Sequence, residues 1–328
     1  MINTIDEFNQ RWQNRSVPHC EYLFTQMRIA TSKVYYSCYC ICNVSEFPFF
    51  LEKNLDFSIK NYLNELDILL KKSQKGESLC CNCKYATNQP IKKLEKNNIN
   101  QITFDYFKNC NANCIYCFAQ KGKTERKTEE VLNFIKQLEK NNILDKECSF
   151  RWGGGEPTIL EDFDKLYNFI AEKKYQQCIC TSGIIYSKTV EHALKNGNQV
   201  IISPDSGTKE TFKKVKRIDK YEAVWKNIKK YASFNGDLHV KYVVFCLNSN
   251  ISEIEKFIEK CIENGVKTII IDCESYSSSD KFSYPAKITE KEIRAAKKLK
   301  ELCIKNNLNY SIGLYWNKEH VDKINLEE

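Results

Sequence analysis

The chain of 328 residues lacks any long apolar run. No stretch approaches the ~18 apolar residues that a membrane-spanning helix requires, so we predict no membrane span. The start of the chain, MINTIDEFNQRWQ, lacks the basic segment, apolar centre and small-residue cleavage site of a secretion signal. We therefore expect a cytoplasmic protein.

Histidine is also scarce, with four residues at positions 19, 192, 239 and 320. No two of them stand at the spacing of a metal site or a catalytic triad. The formal charge of +8 comes from lysines that are mixed with nearly as many acids along predicted helix faces. Such a mixture is typical of a solvated surface, and we expect no nucleic-acid binding.

Cysteine, in contrast, is abundant, with 17 residues. The odd number and the lack of an export signal argue against a disulfide framework, so clustered thiols are better candidates for metal ligands or redox groups. The cysteines form three sets: seven before residue 84, three in residues 110–117, and seven dispersed from Cys148 to Cys303. The first two sets are therefore candidate sites.

From residue 99 onward the sequence alternates between strand-like and helix-like segments. Six such pairs with short connections are predicted, from INQITFDYF (99–107) to KTIIID and its following helix. Apolar strands such as VIIS and TIII are expected in a parallel sheet that is covered on both faces. The pattern predicts an α/β fold, either a partial (β/α)6 barrel of the TIM type or a flat doubly wound sheet.

Residues 1–98 follow a different pattern and are predicted to form a small cysteine-rich α+β module. Two short strands are predicted near residues 24–30 and 34–41, joined by the turn TSK, and a helix is predicted in KNYLNELDILLKKSQKGES. The predicted domains are this module at 1–98, the barrel at 99–316 and a C-terminal tail at 317–328.

The loop NCNANCIYCFAQ, which follows the first barrel strand, contains Cys110, Cys114 and Cys117. Thiolates are soft ligands that suit iron–sulfur clusters, zinc or Cu(I). A [4Fe–4S] cube held by three thiolates keeps one iron open, as a catalytic metal requires. A redox pair of Cys114 and Cys117 leaves Cys110 unexplained, and unrelated buried thiols are the remaining alternative.

Two further features follow neighbouring strands. RWGGGEPT (151–158) has three successive glycines, which suggest a close approach of the main chain to another group. Thr181-Ser182-Gly183 and Ser203-Pro204-Asp205 place small polar side chains after the next two strands, where they are equally common as helix caps.

The spacing Cys110-x3-Cys114-x-Tyr116-Cys117, with GGGEP after the next strand, resembles the radical SAM superfamily. The resemblance covers roughly residues 99–315 and implies a partial (β/α)6 barrel. It implies that the three cysteines hold a [4Fe–4S] cluster, that S-adenosylmethionine (SAM) binds the open iron, and that Tyr116 lies near the adenine. The other implied SAM contacts are Gly154, Gly155 and Glu156 for the methionine amino group, and Ser182, Ser203, Asp205 and Arg217 for ribose and carboxylate.

The chemistry that this resemblance implies is reductive cleavage of SAM. An electron from a donor such as flavodoxin or ferredoxin enters the cluster, and a 5′-deoxyadenosyl radical abstracts hydrogen from the substrate. The protein positions the substrate and keeps water away. No catalytic acid or base is predicted. Cys246 and Cys273, near strand ends, are candidate hydrogen-atom donors, whereas the later cysteines in general are predicted to pack in the core.

The cysteines before residue 84 resemble the SPASM or twitch patterns that bind an auxiliary [4Fe–4S] cluster. The implied ligands are Cys20, Cys38, Cys80 and Cys83, with Cys40 or Cys81 as alternates. This module usually follows the barrel instead of preceding it, and Thr31-Ser32-Lys33 stands where its hairpin usually has glycine. A zinc site built from the same thiolates is the alternative.

Members of the superfamily with auxiliary clusters often modify peptides or protein side chains, and this is the predicted substrate class. A dehydrogenase or epimerase of a carbohydrate or other small molecule is the alternative enzyme. A zinc or iron–sulfur scaffold without chemistry is the non-enzymatic alternative, but a scaffold needs neither an open iron nor a SAM amine pocket.

Overall fold

The computed structural model describes residues 1–20, 22–30, 34–36, 57–78, 81, 86–117, 126–275 and 287–326. The chain forms two compact units. The first comprises Met1–Lys108, Lys123–Gly154 and Glu161–Gln177, and the second comprises Asn109–Gly122, Gly155–Leu160 and Cys178–Glu328. Among the helices of the described ranges, none combines the length and apolar character needed to span a bilayer.

The first unit contains helices and strands in mixed order. Its helices are α1 (Ile5–Trp12), α2 (Tyr22–Thr25), α3 (Ile59–Gln74), α4 (Thr128–Lys140) and α5 (Phe163–Glu172). Its strands are β1 (Ser16–His19), β2 (Gln26–Ala30), β3 (Val34–Tyr36), β4 (Thr87–Pro90), β5 (Ile99–Asp105) and β6 (Leu144–Trp152). Strands β1 and β4 pair antiparallel, and β6, β5, β2 and β3 adjoin in that order.

Strand β2 has parallel and antiparallel neighbours. It runs antiparallel to β3 and parallel to β5, with Gln26 opposite Gln101 and Ala30 opposite Asp105. The predicted hairpin is therefore present where its strands are described, but its first strand also extends the parallel sheet. The predicted boundary at residue 98 falls inside the first compact unit.

The second unit is built from parallel strands and the helices that follow them. Strand β7 (Gln176–Thr181) belongs to this unit from Cys178 onward. In the sheet it is followed, in order, by β8 (Gln199–Ile202), β9 (Leu238–Val244), β10 (Thr268–Cys273) and β11 (Asn309–Ile312). The helices are α6 (Lys188–Lys195), α7 (Lys209–Lys216), α8 (Tyr221–Ala232), α9 (Ile251–Glu263), α10 (Glu290–Lys305) and α11 (Lys318–Asn325).

Apolar spacing explains both element types. On α4, the side chains of Val131, Phe134, Ile135 and Leu138 are all buried, as their 3.6-residue spacing predicts. On β8, Val200, Ile201 and Ile202 are consecutive and all buried, because both faces of a parallel strand are covered.

The predicted α/β fold is confirmed, and the six predicted strands correspond to β5 to β10. Helix α7 and strand β11 are among the elements that were not predicted. Helix α7 is short and is capped by Thr208, whose side chain accepts a hydrogen bond from the N–H of Thr211. Strand β11 pairs parallel with β10.

Candidate active site

The cysteine loop, residues 109–117, follows β5 along the chain and belongs to the second unit. Cys110 and Cys114 are half-buried, and Cys117 is exposed. Two main-chain hydrogen bonds tie the loop to the end of α7. The N–H of Asn113 donates to the carbonyl oxygen of Lys216, and the N–H of Ile115 donates to the carbonyl oxygen of Val215, each at 3.0 Å.

Apolar contacts also hold this loop. Ile115 and Tyr116 pack against a buried cluster of Val215, Val243 and Phe245. The ring centroids of Tyr116 and Phe245 are 5.5 Å apart in an edge-on arrangement. The loop is therefore anchored between α7 and the end of β9.

A buried charge pair lies beneath Tyr116. The carboxylate of Asp205 accepts hydrogen bonds from the Tyr116 hydroxyl and from the Lys216 ammonium group. The Nζ atom of Lys216 also lies 2.7 Å from the Tyr116 hydroxyl oxygen. The side chains of Lys216 and Asp205 are 6% and 0% exposed, so this pair is shielded from water.

The same environment sets the protonation of these groups. Burial, reinforced by the charge of Asp205, raises the pKa of Tyr116 well above its ordinary value, so its phenol stays a proton donor. Burial lowers the pKa of Lys216, but the nearby charges of Asp205 and Cys114 outweigh it and the net shift is upward. Lys216 is therefore a cation at neutral pH.

Asp205 is fixed by its main chain as well. It follows β8 in a left-handed conformation, with φ of 54°. Its Oδ1 atom accepts the N–H of Val243 at 2.7 Å, and its carbonyl accepts the side-chain amide of Asn248 at 3.0 Å. These bonds tie the end of β8 to the end of β9.

Glu156 of the GGGEP segment is buried, with 2% of its surface exposed. Its Oε1 atom accepts the N–H and hydroxyl of Thr158, at 3.1 and 2.7 Å, and the hydroxyl of Thr181 at 2.6 Å. Its Oε2 atom accepts the N–H of Ser182 at 2.6 Å. The carboxylate thus joins the turn after residue 155 to the end of β7.

The glycine before this turn is required by space. Gly154, in the first unit, has φ of 83°, and a Cβ atom there would lie 2.6 Å from Oδ1 of Asp105 and 2.8 Å from the carbonyl oxygen of Phe107. Only glycine fits a left-handed position with such close neighbours. The close main-chain approach predicted from the glycine run is therefore present within the protein itself.

Ser182 connects the Glu156 network to the cysteine loop. Its hydroxyl donates to Oδ1 of Asn111 at 2.9 Å. The Nδ2 atom of Asn111 is buried and has no hydrogen-bond partner among the described residues. A polar chain therefore runs from Glu156 to a side chain next to Cys110, and ends in an amide donor without an acceptor.

Residues 104–261, which include the cysteine loop, Glu156 and Asp205, match the family profile described as Radical SAM superfamily. These residues, just under half of the chain, are similar to the Radical SAM superfamily.

Curated relatives cover part of the chain. The chain is 26% identical over 200 residues to GTP 3′,8-cyclase of Clostridium botulinum (strain Okra / Type B1). The aligned residues are 60% of this chain and 63% of that relative. A probable GTP 3′,8-cyclase of Saccharolobus islandicus (strain Y.N.15.51 / Yellowstone #2) is 26% identical over 164 residues, or 49% of this chain and 52% of the relative. The chain thus matches less than two thirds of these relatives.

The fold is similar to that of solved radical SAM enzymes. Streptococcus suis SuiB bound to the precursor peptide SuiA aligns with a TM-score of 0.54 at 15% identity, over 82% of this chain and 58% of SuiB. The enzyme anSMEcpe with bound AdoMet and a Cp18Cys peptide aligns with a TM-score of 0.52 at 21% identity, over 65% and 62%. These likenesses confirm the predicted partial TIM-type fold.

The chemistry of the cysteine loop fits the iron–sulfur cluster that the superfamily implies. Burial raises the pKa of Cys110 to about 11, and the charges of Glu156, Cys114 and Cys117 add to this shift. The Sγ atom of Cys110 also accepts the N–H of Ala112 at 3.4 Å. Three soft sulfur donors, one of which receives a main-chain hydrogen bond, suit a cluster.

A single metal ion is a poorer fit. In the described ranges, no three His, Cys, Asp or Glu side chains gather around a point that would hold one ion. A four-iron cluster spreads its thiolates more widely, because each thiolate binds a different iron.

The structure brings most of the predicted SAM contacts into the second unit together with the three cysteines. These are Tyr116, Gly155, Glu156, Ser182, Ser203 and Asp205, whereas Gly154 belongs to the first unit. Ser203 is half-buried directly after β8. Arg217 differs from the others, because it is exposed at the C-terminal cap of α7. Its role in binding SAM stays a prediction.

Two residues at the site were missed from the sequence. Lys216 stands among Lys213, Lys214 and Arg217 at the end of a basic helix, and only its burial distinguishes it. Asn111 lies between Cys110 and Cys114, and the cysteine spacing does not distinguish it from the other residues of the loop. A search for polar residues inside the cysteine loop would have found Asn111.

The predicted auxiliary site can be followed only in part. Cys20 is buried directly after β1. The alternate Cys81 is half-buried, and its thiol donates to the carbonyl of Ser73 at 3.5 Å. Cys38, Cys40, Cys80 and Cys83 lie outside the described residues. The second cluster and its zinc alternative stay predictions.

The later cysteines mostly behave as core residues. Cys148, Cys261, Cys273 and Cys303 are buried, as predicted for small apolar side chains, whereas Cys178 and Cys180 are half-buried and Cys246 is exposed. Burial of Cys273 is consistent with packing, and the hydrogen-donor role of Cys273 or Cys246 stays a prediction.

Proposed function

We propose that the chain binds a [4Fe–4S] cluster through Cys110, Cys114 and Cys117, binds SAM at the open iron, and abstracts hydrogen from a small molecule of the nucleotide class. The observation that carries this proposal is the anchored loop with its three cysteines, inside the segment that matches the Radical SAM profile. When bound, the cluster with SAM supplies a 5′-deoxyadenosyl radical. The residues of the chain supply binding, orientation and exclusion of water.

The protein residues around the loop are arranged for that supporting role. Tyr116 is held over the Asp205–Lys216 pair, so its ring is fixed in place for contact with a flat ligand group. Glu156 holds the end of β7 against the turn after residue 155. Preorganised side chains of this kind reduce the reorganisation that a reaction requires.

The relatives support this substrate class. GTP 3′,8-cyclases match 60% of the chain at 26% identity, so GTP is the first candidate. The structures with bound peptides share the fold at 15% and 21% identity, and the predicted peptide substrate is the second candidate. A flavodoxin- or ferredoxin-type electron donor and a cytoplasmic location belong to the same proposal.

Anaerobic reconstitution with iron and sulfide, followed by reduction with SAM, tests the reaction. We expect 5′-deoxyadenosine from the wild-type protein and none from Cys114→Ala, while Cys178→Ala, a cysteine on β7 outside the loop, keeps the wild-type yield. A fully loaded cluster that gives no SAM cleavage would refute the proposal. Addition of GTP or of candidate peptides, with mass spectrometry of the products, then separates the two substrate classes.

The metal content tests the auxiliary site. One cluster corresponds to about four irons per chain, and a second cluster on Cys20, Cys38, Cys80 and Cys83 raises this to about eight. We expect the Cys20→Ala variant to lose only the second portion of iron. Zinc in place of that portion would support the zinc alternative.

A further inference from the structure

Asn111 carries an unusual group for a folded protein, a buried side-chain N–H donor without an acceptor. Its Nδ2 atom has no partner in the part of the chain that the structure describes. Leaving such a donor unpaired is destabilising, so native structures rarely keep one without a ligand or water. The side chain lies directly after Cys110, within the loop that the proposed function assigns to the cluster.

The orientation of this amide is set by Ser182. The Ser182 hydroxyl has one proton, which it donates to Oδ1 of Asn111, and its oxygen accepts the N–H of Ile184 at 3.4 Å. Turning the amide over would place Nδ2 against that hydroxyl and leave Oδ1 without a donor. In the orientation that the structure records, the carbonyl side of Asn111 faces Ser182, and the N–H side is left for another acceptor.

Ser182 is itself held firmly. Its main-chain N–H donates to the buried carboxylate of Glu156, which also accepts the hydroxyl of Thr181. The position of Asn111 is therefore fixed through two buried links, from the end of β7 to the cysteine loop. Such support is what a donor needs if it is to meet a ligand in one geometry.

The chemistry of the loop indicates which acceptor is expected. The neighbouring sulfur of Cys110 already accepts the N–H of Ala112. The cluster in the proposed function would bring further electron-rich sulfurs, both thiolate and sulfide, to the same loop. A neutral amide donor matches such an acceptor, because it compensates negative charge without adding a titrating group.

We propose that Asn111 donates a hydrogen bond from Nδ2 to a sulfur of the cluster, and that Ser182 orients it. This inference rests on the proposed function. Hydrogen bonds to cluster sulfurs are one of the determinants of reduction potential, and they favour the reduced, more negative state. Asn111 is thus a positioning and tuning residue that makes the electron transfer easier.

The test is a redox titration of the reconstituted wild-type protein and its variants, followed by electron paramagnetic resonance without SAM. We expect Asn111→Leu to lower the ratio of reduced to oxidised cluster about tenfold at a fixed applied potential, a shift of about 59 mV for one electron. Ser182→Ala should shift the potential in the same direction by less. Asn113→Leu, an exposed asparagine of the same loop, is the matched control and should leave the potential unchanged.

A second measurement covers the case in which Asn111→Leu does not load a cluster. In D2O, pulsed electron paramagnetic resonance of the wild type should detect an exchangeable deuteron near the cluster. The hyperfine coupling of that deuteron to the cluster should weaken in Ser182→Ala. A loaded Asn111→Leu variant with an unchanged potential would overturn the inference. So would a change confined to SAM affinity, because the acceptor would then belong to SAM. Failure of the wild type to bind a cluster would instead refute the proposed function.

Discussion

Two buried carboxylates adjoin the cysteine loop, and they are stabilised in different ways. Glu156 is surrounded by neutral donors, two of them on Thr158 and the others on Thr181 and Ser182. Asp205 is paired with the buried cation of Lys216. The hydrogen bonds of Glu156 therefore hold main-chain turns together. The pair of Asp205 and Lys216 instead places two compensating charges beside the loop.

Removing the cation from the Asp205 side has the largest expected effect. Lys216→Met keeps the length of the side chain but leaves the carboxylate of Asp205 buried without its charge partner. Breaking a buried ion pair in this way costs about 3–5 kcal/mol, measured as the loss of unfolding free energy in urea. Lys214→Met on the same helix, where the lysine is exposed, is the control and should change it little.

The double variant Lys216→Met with Asp205→Asn sharpens that result. If an uncompensated charge causes the loss, removing the carboxylate should restore part of the stability. Equal instability of the single and double variants would show that packing of Lys216, and not its charge, is what matters.

Glu156→Gln is expected to have the next largest effect. The amide nitrogen cannot accept a hydrogen bond, so either the N–H of Ser182 or the donors at Oε1 lose their acceptor. Leaving a buried donor unpaired costs up to about 3 kcal/mol. Thermal unfolding should show the loss, whereas Glu161→Gln at an exposed position should melt as the wild type does.

Tyr116→Phe should cost less. It removes one hydrogen bond to Asp205, but Lys216 and the N–H of Val243 still compensate the carboxylate. We expect a loss of about 1.5 kcal/mol, the lower range for a bond to a charged group. A loss as large as that of Lys216→Met would contradict the view that the cation dominates this side.

Arg217→Gly is expected to have the smallest effect, and in the opposite direction. Arg217 has a positive φ of 54° at the helix end, so glycine should relieve strain and raise stability by up to about 1 kcal/mol. Calorimetric titration of SAM into the reconstituted variant tests the predicted contact of Arg217. Unchanged affinity would favour Lys216 as the basic residue of the site.

Much of this arrangement could be predicted from local sequence. The cysteine spacing, the glycine run and the apolar strands each have a short-range signature, and they located the loop, Glu156 and β5 to β10. The burial of Lys216 could not be predicted, because four of the five residues 213–217 are basic and helical spacing alone does not select one of them. Its partner is 11 residues away, and pairing at such a distance depends on the folded chain.

The parallel pairing of β2 with β5 bears on how the enzyme can be divided. A fragment starting at residue 99 would lose β2 and expose one edge of β5 along Gln101 to Asp105. Unpaired edges bind other chains and promote aggregation. The barrel strands and the N-terminal residues are therefore best produced as one polypeptide, and insoluble expression of the shorter fragment is the expected behaviour of an uncovered edge.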